Sequence, residues 1–422
     1  MKAFRSRSPR AAASGLAVAT WLLVMAAAAH AQVAPPFTTL LRESEDAPTL
    51  AISVAEVRRA EGLSEQARAR PNPNVSLMTE NVTGSSPYGG FGRAETTLQY
   101  NHPIELGGKR MARMAAGRAG VSAAQARDHD ARVAFAYDLA RSYAAAEIAD
   151  RRIALAQDEV TEAQSDLGVA NALVAAGKEA RLRSLQAQSA LDEASAQLEL
   201  AKANRIGAYS RLSALVAAEQ PFNGLADSLL DWVPPAPLVG PVDARSAPAV
   251  LVASNDRDAA ALRLDVEKRR ATPDVTATLG VRRLAVDNAT ALIGGVSIPL
   301  ALFDRNKGNI TASRAEIQAA EARLAVARNA AEAEARAITA EFEAVEARVA
   351  AATRARSTAE ETYRLMRFAY EAGKAPMAEL LTARHGLDVA RGSLLDAKIA
   401  QFDVRARAAR LQGRTIMGEP IQ

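Results

Sequence analysis

The chain has 422 residues, 49% of them hydrophobic but only 4% aromatic, with no cysteine and a formal net charge of +4. Without Cys there are no disulfides, thiolate metal sites or lipidated N-terminal Cys. Lys2, Arg5, Arg7 and Arg10, in an opening segment free of acids, account for the whole positive excess, so a nucleic-acid partner loses its electrostatic basis.

Residues 1–31 read as an export signal: a basic start, the apolar run AAASGLAVATWLLVMAAAA, and Ala29-His30-Ala31 as an A-x-A cleavage site ahead of Gln32. An uncleaved anchor is the alternative, because that run approaches the length of a spanning helix. No later segment does, so any further membrane contact falls to strands.

Residues 32–217 form a first repeat. After an opening helix, residues 74–106 read as a hairpin, with strands at 74–84 and 93–106 around the turn-rich SSPYGGFG. Leu98, Tyr100, His102 and Ile104 share one face, opposite Thr97, Gln99 and Asn101. Such weak alternation fits a membrane barrel, with an ordinary soluble sheet as the alternative. In HPIELGGKR, Pro103 marks the strand end, where a missing N–H costs little, and Gly107-Gly108 supply the bend into a long helix over 107–168. Along it Phe135, Leu139, Ser142, Ala146, Ala149, Ile153, Ala156, Val160, Ala163 and Leu167 step by four and three, a coiled-coil seam with small knobs. The tip turn at 174–180 carries Ala176-Gly177-Lys178, and a return helix with Leu191, Ala194, Leu198 and Ala201 on one stripe runs back antiparallel. Gly177 is a turn former first, and Lys178 is either a solvated cation or a partner contact.

Residues 218–250 break the helical pattern with repeated prolines and read as an irregular crossing. Phe222, Leu229, Leu230 and Trp232 offer it apolar surface to pack; a disordered linker is the alternative. Residues 251–412 then repeat the first plan. A helix leads to a hairpin over 274–302, with strands at 274–286 and 290–302 around Asp287-Asn288, and Leu292, Val296, Ile298 and Leu300 share a face. Pro299 is the counterpart of Pro103. A long helix over 307–369 carries the seam Ile338, Phe342, Val345, Val349 and Ala352. The tip turn at 370–376 holds Ala372-Gly373-Lys374, a return helix follows, and residues 413–422 form a tail.

The two repeats align residue by residue. RPNPNVS (70–76) matches RATPDVT (270–276) at a shift of 200, while Pro103 with Pro299, Gly177-Lys178 with Gly373-Lys374, and Leu185, Leu191 and Leu198 with Leu381, Leu387 and Leu394 match at 196. The change of shift falls inside the hairpin, where loop tips absorb it. Four strands cannot close a spanning barrel and an open sheet leaves edge groups unpaired in lipid, so several copies must share one barrel, with the long helices continuing as a helical tube.

The order RPNPNVSL, hairpin, HPIELGGKR, long helix, AGK, then PDVTATL, SIPLALFDRNKGN, long helix and EAGKAPMAELLTAR resembles the TolC-family outer-membrane factors over essentially the whole chain after residue 31. HPIELGGKR and IPLALFDRNKGN are most similar to the branch serving cobalt–zinc–cadmium and other heavy-metal efflux. The resemblance implies a mainly α fold with a membrane β part: a homotrimer whose four strands per chain make a twelve-stranded outer-membrane barrel above a periplasmic helical tunnel. It implies docking to a periplasmic adaptor (membrane fusion protein) and an inner-membrane resistance-nodulation-division (RND) pump, with no cofactor. It also implies that the AGK turns lie at the periplasmic tip, where the adaptor docks and the entrance narrows. Glu379 stands where related proteins carry an acidic residue at that entrance, and three copies would form a cation-favouring ring; a solvated helix-surface glutamate is the alternative. The aligned position in the first repeat is Arg183. The segment at 218–250 and the tail would help form a belt around the tunnel. Many members carry a lipidated Cys, from which this chain departs, so insertion would rest on the barrel.

His102, His129 and His385 are widely spaced, so neither a transition-metal nor a catalytic site is expected. The function expected is a passive exit duct of a tripartite RND-type system, exporting heavy-metal cations. Drug or solvent efflux and type I secretion stay open as substrate classes. A periplasmic coiled-coil adaptor without membrane strands is the structural alternative.

Overall fold

A computed structural model describes residues 32–232 and 243–421. The expected export signal therefore lies outside the described residues, as do four of the prolines in the crossing segment. The chain folds as β1 (Gln32–Ala34), α1 (Phe37–Glu43), α2 (Pro48–Gln66), β2 (Asn74–Glu80), β3 (Glu95–Ile104), α3 (Lys109–Ala175), α4 (Arg181–Leu215), β4 (Phe222–Leu225), α5 (Pro248–Arg270), β5 (Val275–Leu284), β6 (Ala289–Ser297), α6 (Lys307–Glu371) and α7 (Met377–Leu411). It is mostly helical with a small amount of sheet. No described helix is long and apolar enough to cross a membrane.

The run helix, strand, strand, long helix, helix occurs twice. Both opening helices begin with Ala as N-cap and Pro at the first helical position, where proline's absent N–H removes no helical bond. The long helices have 67 and 65 residues, roughly 100 Å each at 1.5 Å per residue. The first runs about two turns beyond the 168 expected from sequence, because nothing in residues 169–175 breaks a helix; it stops at Gly177.

One antiparallel sheet is built in the order β2-β3-β5-β6. Leu98 sits in register between Leu77 and Val281, and Tyr100 between Val75 and Leu279. That face is apolar yet open, with Leu98 51% exposed and Leu292 82%. The opposite face is more polar and its polar groups are half-buried. Thr97 is fully buried and accepts a hydrogen bond from Arg282 Nε at 3.0 Å, Arg282 pairs with Glu95 at 3.0 Å, and Thr278 donates to Asn101 at 2.8 Å. A sheet with its apolar side uncovered and its polar side organised inverts the pattern of a water-soluble sheet.

Three sequence expectations need correction here. Pro103 does not end its strand: it pairs with Thr276 inside β3, and it is tolerated because β2 stops pairing at Asn101. The second hairpin does not reach Leu302, since Thr276↔Ser297 is the last rung and beyond it β6 has no partner, leaving Pro299 in a loop. The strands of the first hairpin stop at Glu80 and restart at Glu95, so the turn is longer than SSPYGGFG.

Midway along the helices lies the main core, where Phe37, Leu40, Phe135, Leu139, Tyr143, Leu212, Phe222, Leu229, Leu230, Phe402 and Ile416 meet. Segments remote in sequence converge on it. β1 pairs in parallel with β4, and Tyr143 donates to the Asp227 carboxylate. Glu147, 6% exposed, accepts from the backbone N–H of Leu229 (2.8 Å) and Leu230 (3.1 Å) and from Ser228 Oγ (2.6 Å), strapping the crossing segment onto α3.

Candidate functional site at the helix tips

The α3–α4 and α6–α7 turns close in the same way. Ala176 and Ala372 are the C-caps, followed by Gly177 at φ 70° and Gly373 at φ 69°. Lys178 N–H donates to Leu173 O at 2.9 Å and Gly177 N–H to Val174 O at 3.0 Å, while Lys374 N–H donates to Ala369 O and Gly373 N–H to Tyr370 O, both at 2.8 Å. This paired closure is the Schellman motif, which needs a left-handed residue at the glycine. A Cβ on either glycine would meet open space, so the requirement is conformational rather than steric. Ala176, Gly177, Lys178, Ala372, Gly373 and Lys374 are all exposed, forming two blunt loops at one end of the molecule.

Glu379 is exposed in the first turn of α7, near the Pro376 N-cap, where a carboxylate complements the helix dipole. Its counterpart Arg183, in the first turn of α4, bonds Gln186 Oε1 at 3.0 Å and lies 3.9 Å from Glu179. Thus the two tips carry opposite charge at matched positions.

Just behind the turns the two hairpins pack together through Ala170, Ala187, Tyr363, Tyr370, Met377, Leu380 and Leu387. Within this apolar cluster Asp166 of α3 is fully buried, accepting from Tyr363 Oη of α6 at 3.1 Å and pairing with Arg384 of α7 at 3.3 Å. One carboxylate thereby ties three helices. Burial pushes the Asp166 carboxyl above its usual range despite Arg384 and Tyr363, and burial likewise raises Glu159, Glu162 and Asp388 alongside. Arg391 answers with an ion pair to Glu162 at 3.1 Å.

This lock was not among the residues expected from sequence, although a signal was present. At the shift of 196, the seam residue Leu167 corresponds to Tyr363, so the second repeat places a phenol where the first places an aliphatic. A buried phenol needs a polar partner. Asp166 stands one residue before Leu167, in reach of that position.

At the other end of the long helices, Gly107 and Gly108 are both left-handed, φ 68° and 70°, with Gly108 as N-cap of α3. A Cβ on Gly107 would lie 2.9 Å from Thr272 Oγ1. The N-cap of α6 is Asn306, also left-handed at φ 57°, and its side-chain amide donates to Glu267 O at 2.8 Å. Asn306 thus does the work of Gly108 in the second repeat, an equivalence hidden because the residue type changes. Among the described residues no cluster of His, Asp and Glu is arranged to hold a metal ion.

A family model described as outer membrane efflux protein matches residues 42–218 and 244–414. The nickel-cobalt-cadmium resistance protein NccC of Alcaligenes xylosoxydans xylosoxydans is 38% identical over 331 residues, covering 78% of this chain and 75% of that one. The nickel and cobalt resistance protein CnrC of Cupriavidus metallidurans is also 38% identical, over 72% of this chain and 73% of its own. Among solved structures, the outer membrane protein VceC of Vibrio cholerae superposes with a TM-score of 0.72 at 20% identity, over 91% of this chain and 96% of that one, a likeness of fold.

Proposed function

Because the chain belongs to the outer membrane efflux protein family, a family of transport conduits rather than enzymes, we propose that it is the outer-membrane exit duct of a tripartite efflux system that carries heavy-metal cations out of the cell. The observation that carries this reading is the inverted sheet, apolar on its open face and polar on its organised face, joined to helices about 100 Å long. Four strands per chain cannot close, so three copies supply a twelve-stranded barrel, above the roughly eight strands that closure needs. The repeated element order supports an origin by tandem duplication.

The helical hairpins extend into the periplasm, and their exposed AGK loops meet the adaptor that links the duct to an inner-membrane RND pump. The duct is passive. Its entrance is held by the packing of one hairpin on the other, with Glu379 lining the narrowed mouth. Nickel, cobalt and cadmium are the cargo favoured by the names of the relatives at 38% identity.

Two experiments test the reading. The purified chain should be trimeric in detergent by light scattering, and a stable folded monomer would contradict the architecture. A strain lacking the gene should lose tolerance to nickel, cobalt, cadmium or zinc. Unchanged metal tolerance with reduced drug tolerance would transfer the cargo to drugs and solvents.

A further inference from the structure

Residues 298–306 continue past the last rung of β6 and pair with no strand. Ile298 and Leu300 prolong the two-residue rhythm of Leu292 and Val296, so the open apolar face extends beyond the hydrogen-bonded sheet. It ends on Leu302 and on Phe303, which is 98% exposed. Among the described residues nothing covers Leu300, Leu302 or Phe303.

Cations gather around it. Arg305 and Lys307 follow directly and are exposed. The Asn306 side chain bonds Glu267 O at 2.8 Å, which draws in Lys268 at the end of α5, and Arg269 Nη1 donates to Gly107 O at 3.0 Å, joining α5 to the other junction. Arg110 Nε in turn donates to Arg68 O at 2.8 Å. Four of the acids at this level are ion-paired, Asp274 with Lys109 at 2.8 Å, Asp265 with Arg269 at 2.8 Å, Glu267 with Arg270 at 2.9 Å, and Glu105 with Arg113, while the exposed Asp304 accepts only from the Asn306 N–H at 2.9 Å and offsets one cation. Arg68, Lys268, Arg305 and Lys307 have no carboxylate partner among the described residues. The far end of the sheet lacks this excess, since its two connections, 81–94 and 285–288, carry Arg93 and Asp287 as their charged residues.

We propose that the sheet–helix junction is a docking collar for anionic phospholipid: the loop at 298–303 enters the acyl region, and the surrounding Lys and Arg side chains meet headgroup phosphates. The proposal rests on the outer-membrane reading above. An apolar stretch continuous with the lipid-facing side of the sheet and bordered by unpaired cations has the chemistry of an interfacial anchor. Only the helix end of the sheet is basic, so the recognised lipid is a phospholipid of the leaflet on that side. A second copy of the chain is the poorer occupant, because it brings the same cations to the same level.

The test uses trimers reconstituted in phosphatidylcholine vesicles with or without phosphatidylglycerol. Phe303→Trp is the reporter, in a Trp232→Phe background, and either lipid is brominated in turn. Brominated phosphatidylglycerol should quench position 303 more strongly than brominated phosphatidylcholine at low salt, with local enrichment of about fivefold per cation. The preference should vanish in high salt and when Lys268, Arg305 and Lys307 are all replaced by Gln. Equal quenching by the two lipids refutes headgroup recognition. If Trp at 303 is unquenched while a Leu292→Trp reporter on β6 is quenched, the junction lies outside the membrane and the collar is refuted although the barrel stands. If the reporter at 292 is unquenched as well, the outer-membrane reading itself fails.

Discussion

Asp166→Asn removes one of the two acceptor oxygens at the centre of the tip. Asn keeps an oxygen that can accept from Tyr363 and nearly preserves volume, but it leaves Arg384, whose side chain is 11% exposed, without its carboxylate. Breaking a buried pair from one side costs about 3–5 kcal/mol. The charge itself does not carry the loss, because burial holds the Asp166 carboxyl above its usual range and neutralising it relieves desolvation; what weakens packing is the Asn NH2 placed against the Arg384 N–H donors, a conflict that a protonated carboxyl oxygen avoids. About 2 kcal/mol per protomer remains, a factor of about 30 in the ratio of packed to separated hairpins. Hydrogen exchange of the purified protein reads this directly: amides in the first three turns of α7 and the last turns of α3 should exchange about thirtyfold faster, while those around Phe135 and Tyr143 in the mid-helix core stay protected. Adding Arg384→Met, which removes the stranded cation, should restore much of the protection. Unchanged exchange at the tip would refute the lock. Equal loss of protection in both regions would show that Asp166 supports the whole fold rather than the tip.

Gly373→Val and Gly177→Val should each cost about 1–2 kcal/mol in thermal stability through the left-handed backbone alone, whereas Gly392→Ala inside α7 should gain up to about 1 kcal/mol; equal effects at all three would remove the turn assignment. Glu147→Ala leaves the N–H groups of Leu229 and Leu230 and the Ser228 hydroxyl without their acceptor, at a cost of about 2–4 kcal/mol, and should expose residues 226–232 to proteolysis that spares the tip. The tip should also respond to pH. Glu159, Glu162, Asp166 and Asp388 are raised in the packed state, facing Asp158 on α3, Tyr363 and Arg367 on α6, and Arg384, His385 and Arg391 on α7. Packing therefore binds protons, so its contribution is greatest below the ordinary carboxylate range near pH 4 and is lost as pH rises through the raised values. Tip exchange, corrected for intrinsic rates, should be slower at mildly acidic than at neutral pH, and a reversed trend would refute the linkage. Glu379→Gln should abolish cation preference in planar bilayers without changing assembly; identical reversal potentials under a salt gradient would make Glu379 a surface residue only.

The long helices were visible in the sequence because a seam of four and three steps with no proline admits little else, and all ten of its members in the first repeat are buried or half-buried beside α4, α5 and α7. The turns were visible for a similar reason, since Gly-Lys after a long helix reads directly as a left-handed cap. What could not be read was pairing between distant segments. Thr97 and Arg282 meet only because β3 and β5 are neighbours, and Asp166 meets Arg384 only because α7 returns alongside α3. Strand ends were misplaced for the same cause: Ser297 is the end of β6 because β5 supplies no further rung, and nothing in Ile298-Pro299-Leu300 announces it.

The parallel pairing of β1 with β4 also sets a timetable. Gln32 lies opposite Phe222, and Phe37 N–H reaches Asp227, 190 residues away. At roughly 5–20 residues per second, β4 leaves the ribosome about 10–40 s after β1. Throughout that interval the start of the folded region has its edge groups unpaired and Phe37 without its pocket. Because Phe402 and Ile416 belong to the same core, it closes only when the end of α7 and the tail have also arrived. The first residues to emerge are among the last to find their place.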